Sequence, residues 1–250
     1  MSEPVLARHE GAVLVLTLNR AEKKNALTGA MYTALTEAIE SANADPGLGA
    51  ILILGQPGIF CAGNDIKDFI GFAMSGSLGG PILGFLRALV ANQKPLVAAV
   101  DGGAIGIGTT MILHCDYALA SERAIFATPF VDLALVPEAG SSLIVPQLMG
   151  QRLAFEMLVM GERFDAARAR ETGLVNRVVA SGDIETEALA VAARIAAKPR
   201  EAVAISRRLM RGDPEALLAR IDEEAAAFAQ RLGSAEARAA FEAFLSKPKS

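Results

Sequence analysis

Glu138 stands alone in a long apolar stretch, between Pro137 and the small residues Ala139, Gly140, Ser141 and Ser142. Acids rarely occupy such a segment without a partner or a task. Loss of water around a carboxyl raises its proton affinity toward the range useful for proton transfer. The position equally suits an acid that caps a helix opening at "AGSSLIVPQL", close to the positive end of the helix dipole. Residue types alone leave both readings open.

Two glycine-containing segments offer a complementary chemistry. In "DGGAIGIGTT" the glycines Gly102, Gly103, Gly106 and Gly108 precede an apolar helical stretch. A helix start presents unpaired N–H groups and positive partial charge, which can hold an oxyanion. In "FCAGNDI" Ala62 and Gly63 expose backbone ahead of Asn64-Asp65. Each segment alone also reads as an ordinary strand-to-helix turn. Together they resemble the paired donors that stabilise an enolate or a tetrahedral oxyanion. Lys23, Lys24 and Lys67 flank these segments, either as solvated surface lysines or as partners for phosphates.

Other chemistries are disfavoured. Neither glycine segment has the GxGxxG or Walker A spacing. There is no GxSxG, and Ser141 and Ser142 have no base placed by sequence. His9 and His114 are too isolated for a metal cluster. Cys61 and Cys115 lack CxxC spacing and read as two reduced thiols of a cytoplasmic protein. The net charge of −4 argues against nucleic acid as a general partner. No apolar run approaches a membrane span. The N-terminus does not read as a signal peptide, and the C-terminal "SKPKS" is not the peroxisomal address "SKL".

The elements that must carry these groups alternate. Residues 12–18, 49–55 and 95–100 read as buried strands, and "DYALAS" and "AIFAT" as short ones. Helical periodicity covers 28–43, with Thr28 as N-cap, and 82–92. Residues 71–81, "GFAMSGSLGGP", read as a mobile loop. The recurrence of strand, glycine turn and helix predicts an α/β fold. From 141 onward the chain turns helical, with Asp165, Asp213 and Ser234 as N-caps and Gly173 as a C-terminal stop. With 52% hydrophobic residues, the chain needs a large core, a large subunit interface, or both.

The ordered set "AGNDIKDF", "VDGGAIGIGTTMILHCDYALAS", "AIFATPFVDLALVPEAGSS" and "GERFDAARARETGLVNRVV" resembles the enoyl-CoA hydratase/isomerase (crotonase) superfamily from about residue 10 to 180. The resemblance implies a spiral of ββα units over residues 1–195. A helical region over 196–250 would build homotrimers or hexamers. It implies an acyl-CoA thioester as substrate, with no further cofactor and no metal. The thioester oxygen would be held by the N–H groups of Ala62 and Ile107. The coenzyme would lie against Lys23, Lys24, Ala26 and Leu27 and against Asn64, Asp65 and Ile66.

Two departures narrow the expected reaction. The family's hydratases use two glutamates to activate water, and here those positions hold Thr110 and Phe130. Glu138 remains, in a "PE" segment similar to that of the peroxisomal-type Δ3,Δ2-enoyl-CoA isomerases. The resemblance therefore implies an isomerase with Glu138 as proton shuttle and Phe130 lining a dry acyl pocket. The alternatives are another crotonase reaction (hydration, dehalogenation or thioester hydrolysis) and a non-catalytic CoA-binding protein.

Overall fold

The computed structural model of the chain describes residues 3–66, 68 and 79–246. Most of the expected mobile loop, residues 71–78, and Lys67 lie outside them. Its last residues, Gly80 and Pro81, begin the helix Gly80–Ala91.

The large sheet takes β1 (Val5–Glu10), β2 (Val13–Leu18), β3 (Ala50–Leu54), β5 (Leu96–Val100), β7 (Tyr117–Ser121) and β10 (Arg177–Val179), in that order. A smaller sheet runs β4 (Ile59–Cys61), β6 (Gly103–Ile105), β8 (Ile125–Ala127) and β9 (Phe164–Asp165). The pairs β3/β4, β5/β6 and β7/β8 each place their first strand in the large sheet and their second in the small one. Within each sheet these neighbours are parallel. The chain thus advances both sheets one strand per unit, which is the expected ββα repeat.

Burial explains why the strands read as unbroken apolar runs. Leu14, Leu16, Ile51, Ile53, Leu96 and Ala98 face the larger core. Their alternating neighbours Val13, Val15, Leu52, Val97 and Leu119 face a second one. Successive strand residues point to opposite faces, so a sheet covered on both sides needs apolar residues throughout. The helix Ile184–Ala196 covers the second face with Ile184, Ala188, Val191 and Ala192, at helical spacing. Each large aliphatic side chain so buried contributes about 1.5–3 kcal/mol.

The helix Gly29–Ala44 begins with Thr28 accepting from the Met31 N–H (3.3 Å), as its sequence predicts. Asp165 and Asp213 likewise cap the helices Ala166–Glu171 and Pro214–Leu232. Ile221 and Phe228 of the latter helix belong to the same large core as the sheet. The helix Arg200–Arg211 has no buried residue, and it exposes Ile205, Leu209 and Met210. Among the described residues no helix is long and apolar enough to cross a membrane.

Five strands escape the sequence pattern. β4 lies in the stretch before Ala62 that reads as a glycine-containing turn. β1 is an edge strand, mostly exposed, so it lacks an apolar run. β9 and β10 have two and three residues. β6 lies inside the stretch that reads as a glycine turn, because its pairing with β4 and β8 supplies what its composition does not.

Asn25 fastens the segment before the first helix to the small sheet. It is buried, with φ +53°. Its Oδ1 accepts from the Arg20 N–H (2.8 Å), and its Nδ2 donates to the carbonyls of Ile59 (3.0 Å) and Phe60 (3.1 Å). Asn25→Ala leaves all three backbone groups without this partner, at a cost of about 3 kcal/mol. Thermal unfolding should move down by roughly 6–12 °C, and a melt unchanged within experimental error would contradict this role.

Candidate active site

The candidate ligand segments are laid side by side by backbone pairing. The Ala62 N–H donates to the Lys24 carbonyl (2.9 Å), Leu27 N–H to Gly63 (2.8 Å), and Asp65 N–H to Leu27 (2.8 Å). Arg20 Nη1 ties the same strip by donating to the Ala26 carbonyl (3.0 Å) and Asp65 Oδ2 (2.7 Å). Lys24 and Asn25 turn the chain there with φ of +51° and +53°. Lys23 and Lys24 have exposed side chains, and Ile66 is half-buried. Six of the expected residues (Lys24, Ala26, Leu27, Ala62, Asn64 and Asp65) are thereby brought together.

This pairing corrects one expectation. The Ala62 N–H is committed to Lys24 and is not an open donor. Gly63, at φ +96°, interrupts the regular alternation of amides along extended backbone. The amides of Ala62 and Asp65 therefore both donate to the 24–27 strip, whereas the Asn64 N–H donates to no described residue. Residue spacing could not distinguish these neighbours, because the choice depends on which side pairs with Lys24 and Leu27.

The Ile107 N–H also donates to no described residue, as befits the first position of the short helix Ile107–Thr110. Gly106 takes the unusual backbone angles, φ +56° and ψ −121°, so Ile107 needs none. The two donor segments adjoin: Cys61 of β4 pairs with Ala104 of β6. A Cβ on Gly63 would stand 3.2 Å from the Ile105 carbonyl oxygen. Gly108 is required by close approach, since a Cβ there would lie 2.6 Å from the Cys61 carbonyl oxygen.

Glu138 is 2% exposed. Its Oε1 accepts from the Thr110 hydroxyl at 2.8 Å. Its Oε2 is buried with no hydrogen-bond partner among the described residues. Burial pushes its pKa up from 4.5 to about 7; the Thr110 bond opposes this, and the Glu224 charge adds to it. Burial, with a smaller contribution from Glu138, also raises the Tyr32 hydroxyl and carries the Cys61 thiol to about 12, so both stay protonated. Tyr32 donates in turn to Asn64 Oδ1. The carboxyl, the thiol, the phenol and the Asn64 segment thus form one electrostatic neighbourhood.

The capping alternative for Glu138 does not hold. The helix Ser141–Met149 has Gly140 at its N-cap, and the carboxylate serving that end is Glu224, which accepts from Gly140 (2.6 Å) and Ser142 (2.9 Å). Thr110 also gains a role that its sequence position did not reveal: in place of a second acid it is the hydrogen-bond donor to the first. Phe130 is buried in the large core, and its carbonyl accepts from Leu133 (3.1 Å) and Leu135 (2.8 Å), shaping the turn that leads to Glu138.

A buried carboxyl with its pKa raised to about 7, together with two amides that no described residue occupies, is a combination suited to moving protons next to a developing oxyanion. The chain belongs to the Enoyl-CoA hydratase/isomerase family, whose model matches residues 8–250. It is 34% identical over 205 residues to a probable enoyl-CoA hydratase of Mycobacterium leprae, covering 82% of this chain and 80% of that one. It is 34% identical over 228 residues to enoyl-CoA delta isomerase 2 of Rattus norvegicus, covering 89% of this chain and 58% of that one. The structure of Pseudomonas aeruginosa OdaA superposes with a TM-score of 0.94 at 40% identity, over 98% of this chain and 100% of that one. The fold is the crotonase fold, and the chain is an acyl-CoA enzyme of this family.

The raised pKa links Glu138 to stability. A carboxyl that ionises at about 7 when folded, against 4.5 ordinarily, resists ionisation in the folded state. Its contribution is complete below the ordinary value and is lost as pH rises through about 7. Glu138→Gln should therefore be more stable than the unmodified protein at pH ~8, by on the order of 3 kcal/mol. The difference should vanish at and below pH ~4.5, as read from urea unfolding across that range.

Proposed function

We propose that this protein is a Δ3,Δ2-enoyl-CoA isomerase in which Glu138 alone carries the proton. The observation that supports this most is the asymmetry of the carboxyl: Oε1 is held by Thr110 and the buried Oε2 has no partner. Oε2 takes a proton from C2 of a 3-enoyl-CoA. The electron pair moves into the thioester as an enolate, and the double bond shifts from C3–C4 to C2–C3 as the same proton is returned at C4. Atoms balance without water or a redox partner.

The enolate oxygen is held by the Asn64 and Ile107 N–H groups, which no described residue occupies. Removing one such donor typically raises the barrier by about 3 kcal/mol. A carboxyl ionising at about 7 suits both halves of the shuttle, because it accepts and returns a proton at near-neutral pH. The coenzyme lies along Lys23–Leu27 and Asn64–Ile66, with the exposed Lys23 and Lys24 toward its phosphates. Phe130 borders the acyl chain. The active form is a homotrimer or hexamer of a cytoplasmic protein, with exposed side chains such as Phe155, Met160, Leu209 and Met210 available to subunit contacts.

Hydration of a 2-enoyl-CoA is the second reading, supported by the hydratase names among the relatives. Against it stand Thr110 and Phe130, where the family's hydratases carry their water-activating acids. Incubation with a 3-enoyl-CoA should yield the 2-enoyl-CoA, and incubation with a 2-enoyl-CoA should yield no 3-hydroxyacyl-CoA, both followed by chromatography. Glu138→Gln should lower isomerisation by at least about a hundredfold. Rapid formation of 3-hydroxyacyl-CoA, or full isomerisation by the variant, would overturn the reading.

A further inference from the structure

The second peptide group after Glu138, that of Ala139 and Gly140, is gripped from both ends. The Ala139 carbonyl accepts from His114 Nε2 at 2.8 Å, and the N–H of the same peptide, on Gly140, donates to Glu224 Oε2 at 2.6 Å. The other Glu224 oxygen accepts from the Ser142 N–H at 2.9 Å. Ala139 and Gly140 are both left-handed, with φ of +61° and +72°. Alanine adopts that region only under constraint. A Cβ on Gly140 would lie 2.4 Å from Leu217 Cδ1, so the turn rests directly on the helix that carries Glu224.

Both grips come from elements that already bear on the site. His114 ends the 3-10 turn Met111–His114, which continues the helix holding Thr110. A carbonyl only accepts, so the His114 Nε2 carries the hydrogen. Burial lowers the His114 pKa to about 4, which keeps that neutral donor in place near neutral pH. Glu224 is itself buried, and both its oxygens are engaged by backbone N–H groups.

We propose that Glu224 and His114 are positioning residues for Glu138, fixing the Ala139–Gly140 peptide between them and so aiming the carboxylate at the substrate carbons. This rests on Glu138 being the proton shuttle. Glu224 also acts through its charge, which opposes ionisation of Glu138. The other titratable groups that bear on Glu138 are Tyr32 and Cys61. Arg220, beside Glu224 on its helix, turns to Ser142 Oγ (3.4 Å) and Glu223 (3.1 Å). Among the described residues no Lys or Arg forms an ion pair with Glu138, so Glu224 is the nearby charge whose removal should be felt most.

The test compares the unmodified protein with Glu224→Gln and Glu224→Asp. It reads the pH dependence of kcat and KM on a 3-enoyl-CoA, and titrates the Glu138 carboxyl by carbon-13 NMR, assigned with Glu138→Gln. Glu224→Gln should lower kcat about tenfold or more, with KM little changed. It should move the acid limb and the Glu138 midpoint down by about half a pH unit or more. Glu224→Asp, which keeps the charge, should restore the midpoint and only part of kcat. A folded Glu224→Gln with unmoved midpoint and limb overturns the inference, even if it melts earlier.

If the unmodified protein does not isomerise at all but the midpoint still moves, the isomerase reading fails while the coupling of Glu224 to Glu138 stands. Hydrogen exchange on the unmodified protein covers the case of a variant that does not fold. The Gly140 and Ser142 amides should be strongly protected, with chemical shifts that follow the Glu138 titration. Unprotected amides there would overturn the inference.

Discussion

A carboxyl buried with one oxygen satisfied and the other bare is the constraint around which this structure is arranged. Such a group opposes folding when ionised, and nothing in the core gains from it as packing. Among the described residues no cation neutralises it. The surroundings supply a threonine hydroxyl for Oε1 and leave Oε2 without a partner among the described residues. A lysine or arginine at the site would pin the carboxylate in its charged form and weaken it as a base. A hydroxyl fixes its direction while leaving its proton affinity high.

The fold supplies the geometry by stepping two sheets together. Because β4 and β6 are parallel neighbours, the segments leaving their ends travel side by side, with Gly63 close against Ile105. Gly106 absorbs the awkward angles, and Gly108 lets the short helix sit against Cys61. The helix then returns Thr110 to face Glu138, which the next unit delivers from the loop after β8. The two amides and the carboxyl thus come from three successive repeats, so a register change in either sheet would separate them.

The α/β class, the buried strands and several helix caps were legible in the chain, because two-sided burial and capping leave strong local patterns at 13–18, 50–54, Thr28, Asp165 and Asp213. Glu138 was legible as an anomaly, and the residues standing at Thr110 and Phe130 gave it weight. The choice of amide at the first donor segment was not legible. Ala62 and Asn64 lie two residues apart, and only the pairing of Ala62 with Lys24 shows which one is open. The same holds for β6, a glycine turn by composition and a strand by virtue of its neighbours.

The grip on the Ala139–Gly140 peptide has the same origin in distance along the chain. The turn at Ala139–Gly140 is closed locally by the Ser141 N–H on the Glu138 carbonyl (3.0 Å), and Gly140 takes left-handed angles freely, but Ala139 does not. Further restraints come from elsewhere: His114 from the preceding unit and Glu224 from the C-terminal helices. The helix Pro214–Leu232 therefore does more than cover the core with Ile221 and Phe228. It brings a second buried carboxylate to the turn that follows Glu138, where it accepts from the Gly140 and Ser142 N–H groups and its charge opposes ionisation of the first. A substitution that left the core packing intact could still disable the site by way of this helix, because the direction of one peptide plane depends on it.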